Sequence, residues 1–294
     1  MSRGVGELAV VETLPEWLVV LAAVVTVLGD VWFVFLYLGL LYWTGDQWFE
    51  TLAVGRRRAA FVIALAVGML AIVAAIKTVA ALPRPPGAAE PAAVVPELWW
   101  PLYERIATSD GYGFPSGHAM SATVVFGGLA VLAGTRRAGG VAASLVVAVS
   151  LSRIVLGVHY LVDVVVGVAI GVSVLAIAVR WVGIDRPGRM FSLALTIAII
   201  GTVGGGYSFE TMAALGAALG GRITWGVVGE AVRHDPATRL GSLVAVAVGL
   251  ATAGPFAVAY ALDPEPYVAF VGFGLSVSGA MAAPVVGEAF ARRQ

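Results

Sequence analysis

The sequence predicts an all-α protein, a polytopic transmembrane helical bundle with about nine spans. Hydrophobic residues make up 60% of its 294 residues and charged residues only 12%, whereas about a quarter of a typical soluble domain is charged. The mean hydropathy is +0.93. Apolar windows long enough to cross a bilayer as a helix, which takes about 20 residues, recur along the whole chain. These observations indicate an integral membrane protein.

The apolar windows begin at residue 17, and there are nine of them. They are residues 17–43, 59–77, 117–134, 139–156, 160–181, 191–207, 210–231, 241–262 and 267–287. The seventh window is the weakest, because Arg222 lies near its middle and its several glycines disfavour a helix.

The distribution of arginine predicts the orientation of the spans. If the connections after the odd-numbered windows and the C-terminal tail are cytoplasmic, they hold twelve of the eighteen cationic residues, against five on the other side. Cationic residues are enriched on the cytoplasmic side of membrane proteins. We therefore expect a protein of the cell membrane with its N terminus outside and its C terminus in the cytoplasm, and a seventh window that crosses.

Charge and cysteine content argue against several classes of function. The net charge is zero, so no basic excess indicates a nucleic-acid partner. Cysteine is absent, which rules out disulfides and thiolate metal sites. No carboxylate cluster of the kind that binds magnesium is visible in the sequence. We therefore expect chemistry without a metal or another cofactor.

The first candidate cluster ends the second window. Lys77 is the only lysine of the chain, and Arg84 and Pro85 follow it in KTVAALPRP. A lysine here could simply extend its stem to the membrane interface, but every other cationic residue is an arginine. The connection 78–116 contains several prolines, which prevent one continuous helix, and we expect a loop on the outer membrane surface.

The second candidate cluster opens the third window. Ser116, Gly117 and His118 follow Phe114 and Pro115. A serine cap and the free backbone amides of the first helical turn are suited to bind an anion. An ordinary helix cap with an interfacial histidine explains the same residues. This motif alone therefore does not distinguish an anion site from a structural cap.

The third candidate cluster joins the fourth and fifth windows. Arg153 ends one window, and His159 and Asp163 open the next. Charged groups beside a membrane-length apolar run are costly and usually functional. His159 and Asp163 are four apart, so on a helix the carboxylate can orient the ring as a nucleophile or base. A structural ion pair between Asp163 and an arginine is the alternative.

Together the clusters suit phosphate chemistry. Lys77, Arg84 and Arg153 supply three cations, which match the three equatorial oxygens of a phosphoryl group in transfer. One histidine can attack phosphorus while the other protonates the leaving oxygen. Asp30, inside the first window, is a further intramembrane carboxylate that needs a partner.

The three motifs resemble the signature of the type 2 phosphatidic acid phosphatase (PAP2) family, the lipid phosphate phosphatases. KxxxxxxRP (77–85), PSGH (115–118) and SRxxxxxHxxxD (152–163) occur in the family's order. The resemblance covers roughly residues 17–182 and implies a helical bundle. It further implies that His159 is the nucleophile that forms a phosphohistidine, that Asp163 is its partner and that His118 is the acid for the leaving group. The residues implied to hold the phosphoryl oxygens are Lys77, Arg84, Ser116, Gly117 and Arg153.

We expect two regions in the chain. Residues 1–189 form the PAP2-like core, with five spans and the outer loop 78–116, and residues 190–294 form a C-terminal transmembrane region. There VVGEAVR (227–233) is echoed by VVGEAFAR (285–292), which indicates two similar helical hairpins. By comparison with the six helices usual in the family, we expect the first to be missing ahead of the window 17–43.

The leading hypothesis is a metal-independent phosphatase acting on a lipid phosphate at the outer membrane face. Its substrate would be a phosphatidic acid-like monoester or a prenyl diphosphate, surrounded by membrane lipids. Two alternatives stay open. A phosphotransferase would pass the group to an alcohol through the same residues, and a lipid or anion transporter would use the cations for binding alone. The sequence also leaves open whether copies associate as a homo-oligomer.

Overall fold

The computed structural model describes residues 3–11, 13–45, 54–90, 95–234, 237–262 and 264–294, apart from the side chains of residues 234 and 255–261. Within these ranges the protein is helical and contains no strand, only an isolated bridge between Pro83 and Tyr112. The predicted all-α bundle is therefore confirmed.

The α-helices of the described residues are numbered in chain order. They are α1 (Glu7–Val11), α2 (Glu16–Thr26), α3 (Val31–Thr44), α4 (Arg56–Ala80), α5 (Trp100–Ala107), α6 (Gly117–Ala133), α7 (Arg136–Val155), α8 (Leu161–Ile177), α9 (Pro187–Gly205), α10 (Phe209–His234), α11 (Arg239–Leu262) and α12 (Pro266–Ala291). A π-helical turn, Ala178–Val182, extends α8.

Each predicted window falls on a helix or, for the first, on a bent pair. By length and apolar composition, five helices of the described part can cross a membrane: α4, α7, α8 with its π turn, α9 and α12. The bent pair of α2 and α3 would be a sixth, while α6 and residues 239–254 are shorter apolar helices. Helix α10 runs unbroken through Arg222, whose Nε donates to Ser192 Oγ at 2.8 Å. The total of nine spans stays a prediction.

The first window is broken at Asp30. A 3-10 turn, Val27–Gly29, follows α2, and α3 begins after a bend of 50°. A Cβ at Gly29 would lie 2.8 Å from Val149 of α7 and 3.1 Å from His118 of α6, so glycine allows the chain to pass this close to both helices. The break therefore brings the Asp30 backbone to the start of α6.

Helix α4 is the centre of the bundle. Residues 59–69 are buried without interruption, and the helix packs against α3, α6, α9 and α10. Its charged residues lie near its two ends, Arg56 in the first turn and Lys77 in the last. Because the middle of α4 is apolar and covered on all sides, polar chemistry is confined to the ends of the bundle.

The C-terminal helices pack through glycines. A Cβ at Gly216 of α10 would collide with the carbonyl of Phe270 in α12, and one at Gly220 with that of Gly274. Small residues allow this close approach between membrane helices. Helices α9 and α10 form one hairpin and α11 and α12 another, while α9 packs on α4. The division of the chain at residue 190 stays a prediction.

The connection 78–116 is more ordered than the loop we predicted. It contains α5 after a 3-10 turn, Glu97–Trp99, and Pro101 lies in the first turn of α5, where a proline is tolerated. Tyr103 and Ala107 of α5 are buried in a cluster with Ala23 of α2. The prolines prevent one long helix, as expected, but tertiary packing stabilises a short one.

Candidate active site

The three predicted clusters meet at one end of the bundle, beside the turn that joins α7 to α8. His159 lies in this turn with 1% of its surface exposed. Its pKa is held well below the ordinary value, first by burial and then by the positive charges of Arg84, Arg153 and Lys77 and by His118. These four side chains are therefore close enough to act on one imidazole, which keeps the ring neutral at neutral pH.

His159 presents its two ring nitrogens to different groups. Arg84 Nη1 lies 3.0 Å from Nε2. Because a guanidinium only donates, Nε2 is the acceptor and the ring proton lies on Nδ1. Nδ1 is 3.7 Å from Asp163 Oδ2 and has no hydrogen-bond partner among the described residues. The predicted orientation of the ring by Asp163 is thus a close approach that lacks a hydrogen bond in this structure.

Asp163 is fully buried in the first turn of α8. Arg3 Nη2 donates to its Oδ1 at 3.0 Å and to its Oδ2 at 3.2 Å, and the Tyr160 amide donates to Oδ2 at 3.0 Å. The Asp163 carbonyl also accepts from the Ser116 amide at 2.9 Å. The PSGH motif and the third cluster are therefore joined through the backbone as well as through charge.

His118 is paired with Asp30, the carboxylate whose partner the sequence did not reveal. His118 Nε2 lies 2.9 Å from Asp30 Oδ1. Ser116 caps α6 and accepts from the Ala119 amide at 3.5 Å, and Gly117 starts the helix against Val73 of α4. A carboxylate fixes the orientation of a histidine ring in this way.

Arg153 is held from two other elements. Its Nη1 donates to Thr26 Oγ1 at 2.6 Å and its Nη2 to Ser109 Oγ at 2.9 Å, while Nε has no partner among the described residues. The whole residue is 1% exposed. Sequence reasoning missed Thr26 and Ser109. In the sequence, a hydroxyl that accepts a hydrogen bond from a distant arginine looks the same as one that bonds to the backbone of its own helix.

Arg84 is fixed by backbone carbonyls. Its Nε donates to Asp110 O at 2.7 Å and its Nη1 to Val158 O at 3.0 Å. Burial lowers the pKa of Arg84 to about 10, which leaves it charged at neutral pH. Lys77 lies one turn after Val73 on α4, at the same end of the bundle. Three cations thus converge where two carboxylates, Asp30 and Asp163, are already paired.

The fold and the site together define a class: a helical membrane protein with two histidines and a group of cations at one end of its apolar bundle. Comparison with protein families identifies it further. The PAP2 superfamily model matches residues 57–186, which is less than half of the chain and covers α4 to α8. Residues 57–186 are therefore similar to the PAP2 superfamily, which points to phosphatase-type activity on phosphate esters.

The other comparisons add no relative. Neither the curated proteins nor the solved structures gave a significant match. The family match leaves out three residues that contact the site, namely Arg3, Thr26 and Asp30, and also the helices after residue 186.

Proposed function

We propose that the protein is a metal-independent phosphatase that hydrolyses a lipid phosphate or diphosphate at the outer membrane face through a phosphohistidine. The observation that carries the proposal is the surroundings of His159. A neutral buried imidazole, with Arg84 on one ring nitrogen and the Asp163 carboxylate facing the other, is suited to act as a nucleophile. Lys77 and Arg153 add the charge that a phosphoryl group requires.

Substrate binding starts with an exchange of partners at Nε2. In this structure Arg84 donates to the lone pair that would attack phosphorus. A phosphoryl oxygen offers Arg84 a stronger, charge-assisted acceptor. As Arg84 turns to this oxygen, Nε2 becomes free, so the ligand that needs the nucleophile also uncovers it. The amides at the start of α6, at Gly117 and His118, are the further groups that we expect to contact the phosphoryl oxygens.

In the first chemical step, the Nε2 lone pair of His159 forms a bond to phosphorus as the bond from phosphorus to the ester oxygen breaks. This step requires His118 with protons on both ring nitrogens: Nε2 stays paired with Asp30, and the proton on Nδ1 passes to that oxygen. The His159 proton stays on Nδ1, which faces Asp163. Water then attacks phosphorus as it gives a proton to Nδ1 of His118, the N–P bond to His159 breaks, and phosphate leaves with both histidines restored.

The position of the site favours a membrane lipid as the substrate. His118 and Asp163 lie in the first turns of apolar helices, and Lys77 lies in the last turn of one. A phosphate on a lipid rests at this depth without leaving the bilayer, because helix ends lie near the headgroup layer. A soluble ester gains nothing from a site placed there.

The test is phosphate release by the purified full chain in detergent micelles. The substrates are a phosphatidic acid, a prenyl diphosphate and a soluble alkyl phosphate, each with excess chelator present. We expect release from at least one lipid and much slower release from the soluble ester. The proposal would be contradicted if the protein released no phosphate from either lipid, or if its activity required an added metal ion. Adding glycerol and analysing the products separates hydrolysis from transfer to an alcohol.

A further inference from the structure

The N-terminal segment Arg3–Glu7 lies outside the family match and covers the start of α8. Arg3 donates twice to Asp163, and its guanidinium lies 5.0 Å from the centre of the Tyr160 ring. Glu7 Oε1 accepts from the Leu161 amide at 3.0 Å. A Cβ at Gly4 would lie 3.2 Å from the Tyr160 ring, so the segment packs directly on this residue.

These contacts determine the state of the Asp163 carboxylate. It is buried completely, and a buried charge is costly unless a partner neutralises it. Its two oxygens share Arg3, and Oδ2, the oxygen nearest His159, also accepts from the Tyr160 amide. Arg3 therefore supplies the countercharge and, by its forked contact, the orientation.

We propose that Arg3 is a positioning residue of the reaction, which holds the Asp163 carboxylate in place beside His159 and balances its charge. This inference rests on the proposed function and adds a residue to it from outside the PAP2 domain. Arg3 itself does not touch His159 or the site for the phosphoryl group. Its effect on the reaction passes through Asp163.

The charges around His159 predict the effect of replacing Arg3. The groups that face the ring are Arg84 from the connection after α4, Lys77 from α4, His118 from α6, Arg153 from α7 and Asp163 from α8. Arg3 and Arg84 are the cations that act on Asp163. Without Arg3, the negative charge of Asp163 is less balanced, so it stabilises protonated His159 and raises the pKa of the ring.

The experiment compares Arg3→Gln, Arg3→Lys and the wild type, with the affinity tag at the C terminus. We expect Arg3→Gln to lower kcat by about tenfold or more, since a displaced carboxylate misplaces the nucleophile, with KM little changed. The acid limb of kcat/KM should move to higher pH, by roughly one unit. Ionisation of the substrate contributes equally to every variant and cancels in the comparison.

Two further variants distinguish positioning from a merely structural role. Arg3→Lys keeps the charge and should restore the pH profile, but only part of kcat, because lysine lacks the forked contact. Glu7→Gln disturbs the same segment without touching Asp163 and should leave the pH profile in place. A thermal melt of each variant shows whether the bundle is intact.

The proposal is wrong if an active wild type and Arg3→Gln share the same kcat and pH profile. It is equally wrong if Glu7→Gln moves the acid limb as far as Arg3→Gln does, because the segment would then act only by covering α8. A wild type that releases no phosphate from any lipid would instead refute the proposed function itself.

Discussion

Two groups of buried charges lie at opposite ends of α4 and differ in their balance. At one end Arg56 donates to Glu288 Oε1 at 2.9 Å and to Trp43 O at 2.9 Å, and Thr238 donates to the same carboxylate from its amide and its hydroxyl. At the other end, about 30 Å away along the helix, is the cationic group of Lys77, Arg84 and Arg153.

This contrast indicates different roles for the two groups. The group at Arg56 stabilises the protein, whereas the group at Lys77 is suited to bind an anion. In the ion pair of Arg56 and Glu288, one cation meets one carboxylate, and this pair joins α4 to α12. At the other end, Asp163 is paired with Arg3 and Asp30 with His118, so no carboxylate of the described residues forms an ion pair with the three cations. An anion would complete the second group, whereas the first is complete already.

The largest effect is expected from His159→Ala. The variant lacks the proposed nucleophile, so lipid phosphate hydrolysis and acid-labile labelling with radioactive phosphate should both fall to background. His118→Ala is the matched variant. It should still form the labelled enzyme from an aryl phosphate, whose acidic leaving group needs no proton, while losing activity on alkyl esters. Labelling that survives in His159→Ala would assign the nucleophile elsewhere.

The next effect tests the cations. Arg153→Ala should reduce kcat/KM on the order of 10²-fold, because the variant loses a buried charge that we propose stabilises the transition state. Arg153→Lys should be intermediate, since lysine replaces the charge but not the contacts with both Thr26 and Ser109. Arg105→Ala, at an exposed arginine of α5, is the control and should be nearly unaffected. Similar values of kcat/KM for Arg153→Ala and Arg105→Ala would show that Arg153 does not contribute to the reaction.

A smaller effect is expected from Asp30→Asn. The amide oxygen can still accept from His118 Nε2, but the charge that pairs with the protonated ring is gone. We expect kcat/KM to fall roughly tenfold. This is the lower end of the roughly 10- to 100-fold losses seen when a partner that orients a metal-binding histidine is removed. The loss should be confined to alkyl phosphates and absent for an aryl phosphate. An equal loss on both substrates would show that Asp30 acts on structure and not on the leaving group.

The smallest effect on activity is expected from a change in the ion pair of Arg56 and Glu288. Glu288→Ala leaves Arg56 buried without its carboxylate, which should cost about 3–5 kcal/mol of stability. Scanning fluorimetry in detergent should show a lower Tm, with the specific activity of the folded protein unchanged. Glu230→Ala is the matched control, because it occupies the corresponding place in VVGEAVR but its side chain is 73% exposed. An unchanged Tm in Glu288→Ala would contradict the structural role of the pair.

Much of the architecture was predictable because it depends on local patterns. Each apolar window became a helix or a bent pair, and Ser116 caps α6 as its motif indicated. The break at Asp30 was missed, since a single carboxylate between two apolar runs does not show whether a helix continues through it. Helix α5 was missed because burial of Tyr103 and Ala107 against α2 outweighs the many prolines around it.

Hydropathy and motif spacing are properties of short stretches of chain, so the amino-acid sequence was enough to predict a helical membrane protein and to single out the residues of the three PAP2-like motifs. The partners of those residues depend on the packing of the helices. His118 meets Asp30 across 88 residues and Asp163 meets Arg3 across 160. Such pairs form because the apolar helices pack in one arrangement and bring distant charges into a common low-dielectric space, where each must find a partner.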